Sequence, residues 1–323
     1  MSEVAVDLSI VIVSYNTRAL MLDCLRSVFE STLITKFEVI VVDNDSKDAT
    51  VEAIRTNYPG VHIIVNHENR GFSKGVNQAL AVSTGRHLLM LNSDTQMRPQ
   101  TVDRMVACLD ADQEIGAVGC KQWTGDGRLY QSCFPFPSIR DHLIHASVLR
   151  KFGSTWQEAL AAREAIDCTK SQDVDWINGA CLMVRTDVMR ACGGLDEGYF
   201  MYFEDVDLCR VLHGRGYRVR HLADANIVHL IGRSGAGDRT RLNLVWEFSR
   251  IRYVERHFPP LQRFIMKMWI AFGAFVRLVG VNSCRRPTVD DRPFGMYVSV
   301  IRRLWHKSQS VPSGLVWTEP NRG

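Results

Sequence analysis

Leu8-Ser9-Ile10-Val11-Ile12-Val13 (LSIVIV), closed by Ser14-Tyr15-Asn16, is a β-branched run that stops abruptly at polar residues. Such a run suits a strand covered on both faces, as in a parallel sheet. Working outward, Thr17 can cap a helix in which Leu20, Cys24, Leu25, Val28 and Phe29 recur at helical spacing. A second run, Phe37 to Val42 (FEVIVV), stops at Asp43-Asn44-Asp45-Ser46. Asp48 to Asn57 then reads as helix, and Val61 to Val65 as a third strand. After Asn69-Arg70-Gly71-Phe72, Ser73 caps a helix through Ala81, and a fourth strand, His87 to Leu91, ends at Asn92-Ser93-Asp94. The order is β-α-β-α-β-α-β, with polar loops at the carboxyl ends of the strands, where open α/β sheets bind ligands. The clusters 14–16, 43–46, 69–77 and 92–94 are therefore expected to converge.

The rest of the chain fits around this unit. A length of 323 residues allows one enlarged α/β domain plus an appendage. Apolar content of 46% with 23% charged residues excludes global disorder. A net charge of +4 gives no case for a nucleic-acid partner, although the last third is the richest in Arg and Lys. The N-terminus, MSEVAVDLSIVIVSYN, lacks a basic segment before its apolar run, so no signal peptide is expected. Nine cysteines are scattered without CxxC spacing, which argues against a zinc site and for reduced, buried thiols in a cytosolic compartment.

Lys121 to Val174 is less regular, contains Pro135 and Pro137, and reads as an acceptor-side insertion. Regularity returns at Val174-Asp175-Trp176-Ile177-Asn178-Gly179-Ala180 and the apolar run to Val184. Then come Gly193-Gly194-Leu195-Asp196, an aromatic cluster (Tyr199, Phe200, Tyr202, Phe203) and Glu204-Asp205-Val206-Asp207-Leu208. The helix opened there ends near Gly214 or Gly216, and a strand from Tyr217 to Leu222 leads toward His229.

Each polar cluster has a chemical reading and a plain one. Asp94 can offer a carboxylate to a hard divalent ion, yet Asn, Ser and Asp form turns anyway. Glu204, Asp205 and Asp207 crowd a helix N-terminus, where the macrodipole favours carboxylates. Their mutual repulsion can also raise one pKa and keep a base poised, beside a sugar-sized aromatic wall. A lone His such as His229 is a satisfied core residue or a ligand. Asp43 and Asp45 can accept from a nucleobase N3–H or a ribose hydroxyl with Tyr15 stacking, while Asp45 or Ser46 can equally cap a helix. Asn69 to Asn77 offers donors near a helix N-terminus for phosphate or ribose, but matches neither a Walker loop nor GxGxxG.

Taken together these segments resemble the family 2 glycosyltransferases of the GT-A fold. The resemblance rests on Val11–Asn16, Val41–Ser46, Asn69–Asn77, Leu91–Asp94, Gly179-Ala180, Gly193–Asp196 and Phe203–Leu208, in the family's order over about residues 8–230. It implies a Rossmann-like α/β nucleotide-diphospho-sugar transferase fold, a mostly parallel sheet flanked by helices, and an inverting hexosyl transfer. Asp205 would be the catalytic base. Asp94 would be the last acid of a DxD-type motif binding Mg2+ or Mn2+, with His229 as a further metal ligand. Ser14, Tyr15, Asn16, Asp43, Asp45, Arg70, Gly71, Lys74, Asn77, Asn92, Ser93, Trp176, Gly179 and Glu204 would contact substrates, Asp43 at the nucleobase. Asn92 departs from the pattern, since it replaces the first acid of DxD and removes one anionic ligand. Within the family the ENRGFSKGVNQAL, LNSD and YFEDVDLC stretches look most like rhamnosyltransferases of bacterial surface polysaccharide (O-antigen, cell envelope) assembly. That implies a dTDP-L-rhamnose donor and a lipid-linked glycan acceptor. Galactofuranosyl and N-acetylglucosaminyl transferases using UDP-sugars share much of the pattern. A non-catalytic sugar-nucleotide-binding protein would not need both Asp94 and Asp205, and a nucleotidyltransferase needs a Gly-rich loop that Ser14–Arg18 does not provide.

The expected organisation is a catalytic domain over 1–230, with a nucleotide-sugar half (about 1–95) and an acceptor half (about 96–230), a helical extension over 231–307, and a mobile tail over 308–323. In the extension, Phe264, Ile265, Met268, Trp269, Phe272, Phe275, Val276 and Val279 recur between Phe258 and Gly280, interrupted by Lys267 and Arg277. The uncharged window is too short to span a bilayer. It reads as an amphipathic helix on the cytoplasmic face of the plasma membrane, with Trp269, Arg263, Arg285 and Arg286 at headgroup level. Alternatively it packs on the catalytic domain or on a second subunit of a homo-oligomer.

Overall fold

A computed structural model describes residues 6–31, 34–139, 166–230 and 239–284. The expectations for 308–323, for Arg285 and Arg286, and for most of the insertion fall outside these residues. The first half runs β1 (Leu8–Ser14), α1 (Arg18–Ser31), β2 (Phe37–Asn44), α2 (Thr50–Asn57), β3 (His62–Asn66), α3 (Phe72–Val82), β4 (His87–Asn92), β5 (Thr95–Met97) and α4 (Thr101–Ala111). It continues with β6 (Ile115–Thr124), β7 (Leu129–Tyr130), β8 (Cys133–Phe134), β9 (Gln172–Val174), β10 (Trp176–Ile177), β11 (Cys181–Arg185), α5 (Thr186–Ala191), α6 (Glu204–Gly214) and β12 (Arg218–His229). Two long helices follow, α7 (Arg239–His257) and α8 (Pro260–Cys284).

The main sheet has the order β3-β2-β1-β4-β11-β6-β12-β5. β3, β2, β1 and β4 are mutually parallel, as are β6 and β12, whereas β11 runs antiparallel to both β4 and β6. The apolar runs become central strands because both faces are covered: Leu8, Ile10, Ile12, Val41, Leu89 and Leu91 join α1 and α4 residues in one buried cluster. Each such side chain contributes roughly 1.5–3 kcal/mol by leaving water. The α/β class and the predominance of parallel pairing agree with the sequence reading. β11 does not follow from it, because an apolar run carries no sign of strand direction.

Two features of this sheet position the site. Ser14, Asp43 and Asn92 lie at the carboxyl ends of three adjacent parallel strands, with Ser14 opposite Asp43 and Val13 opposite Asn92. β11 enters beside the end of β4, with Cys181 opposite Leu91 and the Asn92 N–H donating to the Ala180 carbonyl (3.0 Å). Antiparallel insertion thus brings the segment before β11, Trp176 to Ala180, to the same edge as the loop after β4.

The chain divides into two compact units. One is drawn from residues 1–135, 166–197 and 204–236, and the other from 136–165, 198–203 and 237–323. Within the second, Leu244, Phe248 and Ile251 of α7 meet Ile270 of α8, with Trp269 against them. Trp269 therefore faces this small core, a correction to its expected place at headgroup level. Lys267 does not interrupt an outer stripe either, because its ammonium pairs with Glu255 of α7 at 2.7 Å.

Candidate active site

The first two crevice loops are tied together. Asn16, in the left-handed region at φ 53°, donates its N–H to Ser46 Oγ (2.8 Å), and its own Oδ1 accepts from the Lys47 N–H (2.7 Å). Ser14 Oγ lies 3.0 Å from Thr17 Oγ1, and Tyr15 beside it is half-buried. Thr17 precedes α1 directly and its carbonyl accepts from the Met21 N–H (2.8 Å). Two capping expectations are corrected here. Asp48 accepts from the N–H of Arg18 (2.8 Å) at the start of α1 and from that of Thr50 (3.2 Å) at the start of α2, so at α2 the role given to Asp45 or Ser46 falls to it. Ser73 is not the cap of α3; Gly71 is, at φ 83°, a conformation that glycine adopts without strain.

Asp43 is 1% exposed. Its Oδ1 accepts from the Ser46 N–H (2.9 Å), while Oδ2 is buried with no hydrogen-bond partner among the described residues. Burial pushes this carboxyl up from its ordinary range. A buried acceptor with no donor at a crevice floor is costly unless a ligand supplies one. Asp45, by contrast, is ion-paired with Lys47 at 2.5 Å. Arg70 is exposed and 3.2 Å from Glu68, and Lys74 is exposed on the first turn of α3.

Asn77 is a correction. Its Oδ1 accepts from the Leu195 N–H and its Nδ2 donates to the Leu195 carbonyl, both at 2.9 Å. A Cβ at Gly194 (φ 76°) would come within 2.4 Å of that Oδ1. The amide is thus spent on clasping the 193–197 turn and has no donor left for a phosphate. The aromatic wall is corrected likewise. Within the second unit Phe203 packs on the rings of Trp246 and Tyr253 (5.6 and 5.4 Å), and the Arg252 guanidinium lies over buried Tyr199.

Asp94 follows β4 through Asn92 and buried Ser93, and is itself 1% exposed. His229 ends β12 opposite Thr95, and its Nε2 lies 3.3 Å from Asp94 Oδ1. The other ring nitrogen, Nδ1, faces Gln122 Oε1 at 3.3 Å. Gln122 is fully buried and turns its amide nitrogen to Asn178 Oδ1 (2.6 Å), so its oxygen is the atom offered to the imidazole. His229 Nδ1 is then the donor to that oxygen, and Nε2 is the nitrogen turned toward Asp94. Asn178 leads into Gly179, whose N–H donates to Asp205 Oδ2 at 2.8 Å. The second carboxylate oxygen of Asp205 accepts from the Val206 N–H (2.8 Å).

Asp94, His229, Gln122, Asn178, Gly179 and Asp205 therefore form one connected series across the ends of β4, β12, β6 and β10. Gln122 and Asn178 were missed from sequence, since a Gln in the middle of a strand and an Asn before Gly carry no local sign of such a partnership. Tyr130 stands edge-on to the His229 ring at 6.0 Å; burial, with Asp205 nearby, pushes its phenol up. Burial raises the Asp205 carboxyl, against its two backbone donors. Glu204 is buried more deeply and raised well above its ordinary range by burial and then by Asp205. Its Oε2 has no hydrogen-bond partner among the described residues, which adds to the cost of charging this carboxyl. Trp176 is half-buried, stacked on Phe134 (4.5 Å) and donating its indole N–H to the Pro135 carbonyl (2.9 Å), which leaves a ring without a free donor. A cavity of about 480 Å³ lined by Trp123, Asn226, Val228 and Leu230 involves the β12 residues that alternate with His229, and so lies on the other face from this series.

The donor set at Asp94 and His229, one carboxylate and one imidazole nitrogen with its second nitrogen anchored, fits Mg2+ or Mn2+ completed by phosphate oxygens. Gln122 would act as a positioning residue for such an ion. Gln122→Leu is expected to weaken Mn2+-dependent nucleotide-diphosphate binding by about 10- to 100-fold in calorimetry, with an unchanged circular dichroism spectrum. Equal affinity in a folded variant would remove Gln122 from the site.

The strand order, with Asp43 at the end of β2 and the Asp94–His229 pair beyond the end of β4, is the α/β frame on which the comparisons with known glycosyltransferases of the GT-A fold rest. Residues 9–143 match the family described as Glycosyl transferase family 2, and the chain carries a domain of that family. A Mycobacterium tuberculosis N-acetylglucosaminyl-diphospho-decaprenol L-rhamnosyltransferase is 30% identical over 202 residues, 59% of this chain and 66% of that protein. The matched region thus spans just under two thirds of that relative's length. Among solved structures, a Pyrobaculum calidifontis mannosyltransferase in complex with GDP-Man and Mn2+ superposes with a TM-score of 0.55 at 18% identity, covering 95% of this chain and 91% of that one. GalNAc-T7 with UDP, GalNAc and Mn2+ gives 0.57 at 14% identity, covering 94% and 56%. At such identities the likeness is one of fold.

Proposed function

We propose that this chain is an inverting glycosyltransferase of cell-surface glycan synthesis, moving L-rhamnose from dTDP-L-rhamnose to a hydroxyl of a lipid-linked acceptor. The observation that carries the activity is the connected series from Asp94 to Asp205. It links the Asp94–His229 pair to the Asp205 carboxylate through one set of amides, which supports reading the pair as a cation–diphosphate site and the carboxylate as the base. The acceptor hydroxyl gives its proton to Asp205 as it attacks the anomeric carbon. Asp43 accepts from the nucleobase N3–H, and the backbone N–H groups opening α3 face the diphosphate. A bound divalent ion would neutralise charge developing on the departing diphosphate.

The sugar and acceptor rest on the mycobacterial relative's name and on the sequence resemblance. Thymine and uracil both carry N3–H, so Asp43 suits a dTDP- or a UDP-sugar alike. A donor panel monitored by nucleotide-diphosphate release separates them. Selective release from dTDP-L-rhamnose is expected, and turnover confined to UDP-sugars would refute the rhamnosyl reading.

A lipid-linked acceptor calls for the membrane surface. No helix among the described residues is long and apolar enough to cross a bilayer. On α8, Leu261, Phe264, Ile265, Met268, Phe272 and Phe275 are 40–70% exposed. Their spacing sets them within about a 100° arc, the width of an interfacial stripe. Replacing Phe264 and Phe272 together by Asp is expected to abolish cosedimentation with anionic vesicles. Undiminished sedimentation of a folded variant would place the membrane contact elsewhere.

A further inference from the structure

Away from this site, three soft or borderline donors converge in the interior of the first unit. Cys133 and Cys168 bring their sulfurs to 2.8 Å, and both lie within 4.8 Å of a ring nitrogen of His221. All three residues are buried. They come from β8, from the turn before β9, and from the middle of β12, so no short-range spacing announces them, and the absence of CxxC pairs is not the evidence against a metal that it seemed in the sequence.

The hydrogen bonding around His221 turns one ring nitrogen toward the two sulfurs. Its Nδ1 faces the Lys170 carbonyl at 3.1 Å and so carries the proton, leaving the Nε2 lone pair directed into the cluster. The nearest oxygen there is Ser132 Oγ, at 3.4 Å. That hydroxyl has one proton, and a closer acceptor for it in the Cys120 carbonyl at 3.1 Å. Two thiols and an imidazole nitrogen whose opposite nitrogen is anchored on a carbonyl make the donor set of a tetrahedral thiophilic ion. A disulfide would satisfy the sulfurs but leave Nε2 only the more distant Ser132 hydroxyl, at 3.4 Å.

We propose that Cys133, Cys168 and His221 bind one Zn2+ as a structural site, with the fourth position at Ser132 Oγ or a water bonded to it. Binding converts both thiols to thiolates and releases two protons to solvent. To bring two sulfurs onto one ion, the pair opens to about 3.8 Å, the edge of a tetrahedron with Zn–S bonds of about 2.3 Å. Cys133 and Cys168 bracket residues 136–165 in sequence, so the ion closes the base of that insertion onto β12. It also fixes β8, whose Phe134 stacks on Trp176, three residues before the Gly179 N–H that holds Asp205. This staple is independent of the donor site and needs no assumption about the sugar transferred.

The test is elemental analysis of the full chain purified without chelator from zinc-supplemented cells, with thiol counting under denaturing, non-reducing conditions. About one zinc per chain is expected, lost in Cys168→Ser and retained in His229→Ala. Reconstitution with Co2+ should give a thiolate-to-cobalt charge-transfer band that Cys133→Ser weakens. Should a substitution prevent folding, the wild-type chain alone still decides. A metal-free chain overturns the proposal, whether all its thiols are free or two are missing as a disulfide, and so does zinc that persists in a folded Cys168→Ser variant.

Discussion

Asp205→Asn is expected to lower turnover by about 100-fold or more, with the affinity for nucleotide diphosphate at its wild-type value. The carboxylate accepts from Gly179 and Val206 N–H groups, and an asparagine of the same shape can keep one of these contacts while losing the ability to take a proton. The substitution therefore tests proton acceptance more than packing. The pH profile supplies the sign. A base works only when deprotonated, and burial holds the Asp205 carboxyl above its ordinary range. The acid limb of kcat/KM should consequently fall above the pH of an exposed carboxylate, about 4, with activity lost as pH drops through it. A limb at the ordinary position, or an active Asn variant, would transfer the role to another group.

The second large effect concerns the cation. Asp94→Ala should eliminate the increment in nucleotide-diphosphate affinity that Mn2+ confers and lower turnover by at least about 100-fold, since the buried carboxylate beside His229 would be the anionic part of the proposed donor set. The same logic gives a gain. Asn92→Asp restores a second acid at the end of β4 and should raise Mn2+ affinity in the absence of nucleotide. Calorimetry of both variants with and without Mn2+ measures this directly. Affinities insensitive to the ion in the wild-type chain would dissolve the metal assignment.

Much of the first half of the chain was legible in sequence because its strands are buried on both faces. LSIVIV and FEVIVV can hardly be anything else, and a parallel β-α-β series dictates where their polar ends meet. Asp43, Asp94 and Asp205 were accessible for the same reason, being tied to strand ends or a helix start. What was not legible lies in long-range partnerships. Asn77 looks like a phosphate-loop donor until the 193–197 turn folds over α3. Tyr199 and Phe203 read as a sugar platform, but packing turns them onto α7. Gln122, Asn178 and the Cys133–Cys168–His221 group depend on β11 and β12 lying beside strands distant in sequence, and no local pattern encodes a neighbour across the sheet.

The most direct test of the central claim is the anomeric configuration of the product, read by NMR after transfer from a donor of known configuration. One carboxylate base and one attacking hydroxyl make a single displacement, so the account predicts complete inversion. Retention of configuration would contradict it, because it would require a mechanism in which Asp205 is not simply the base.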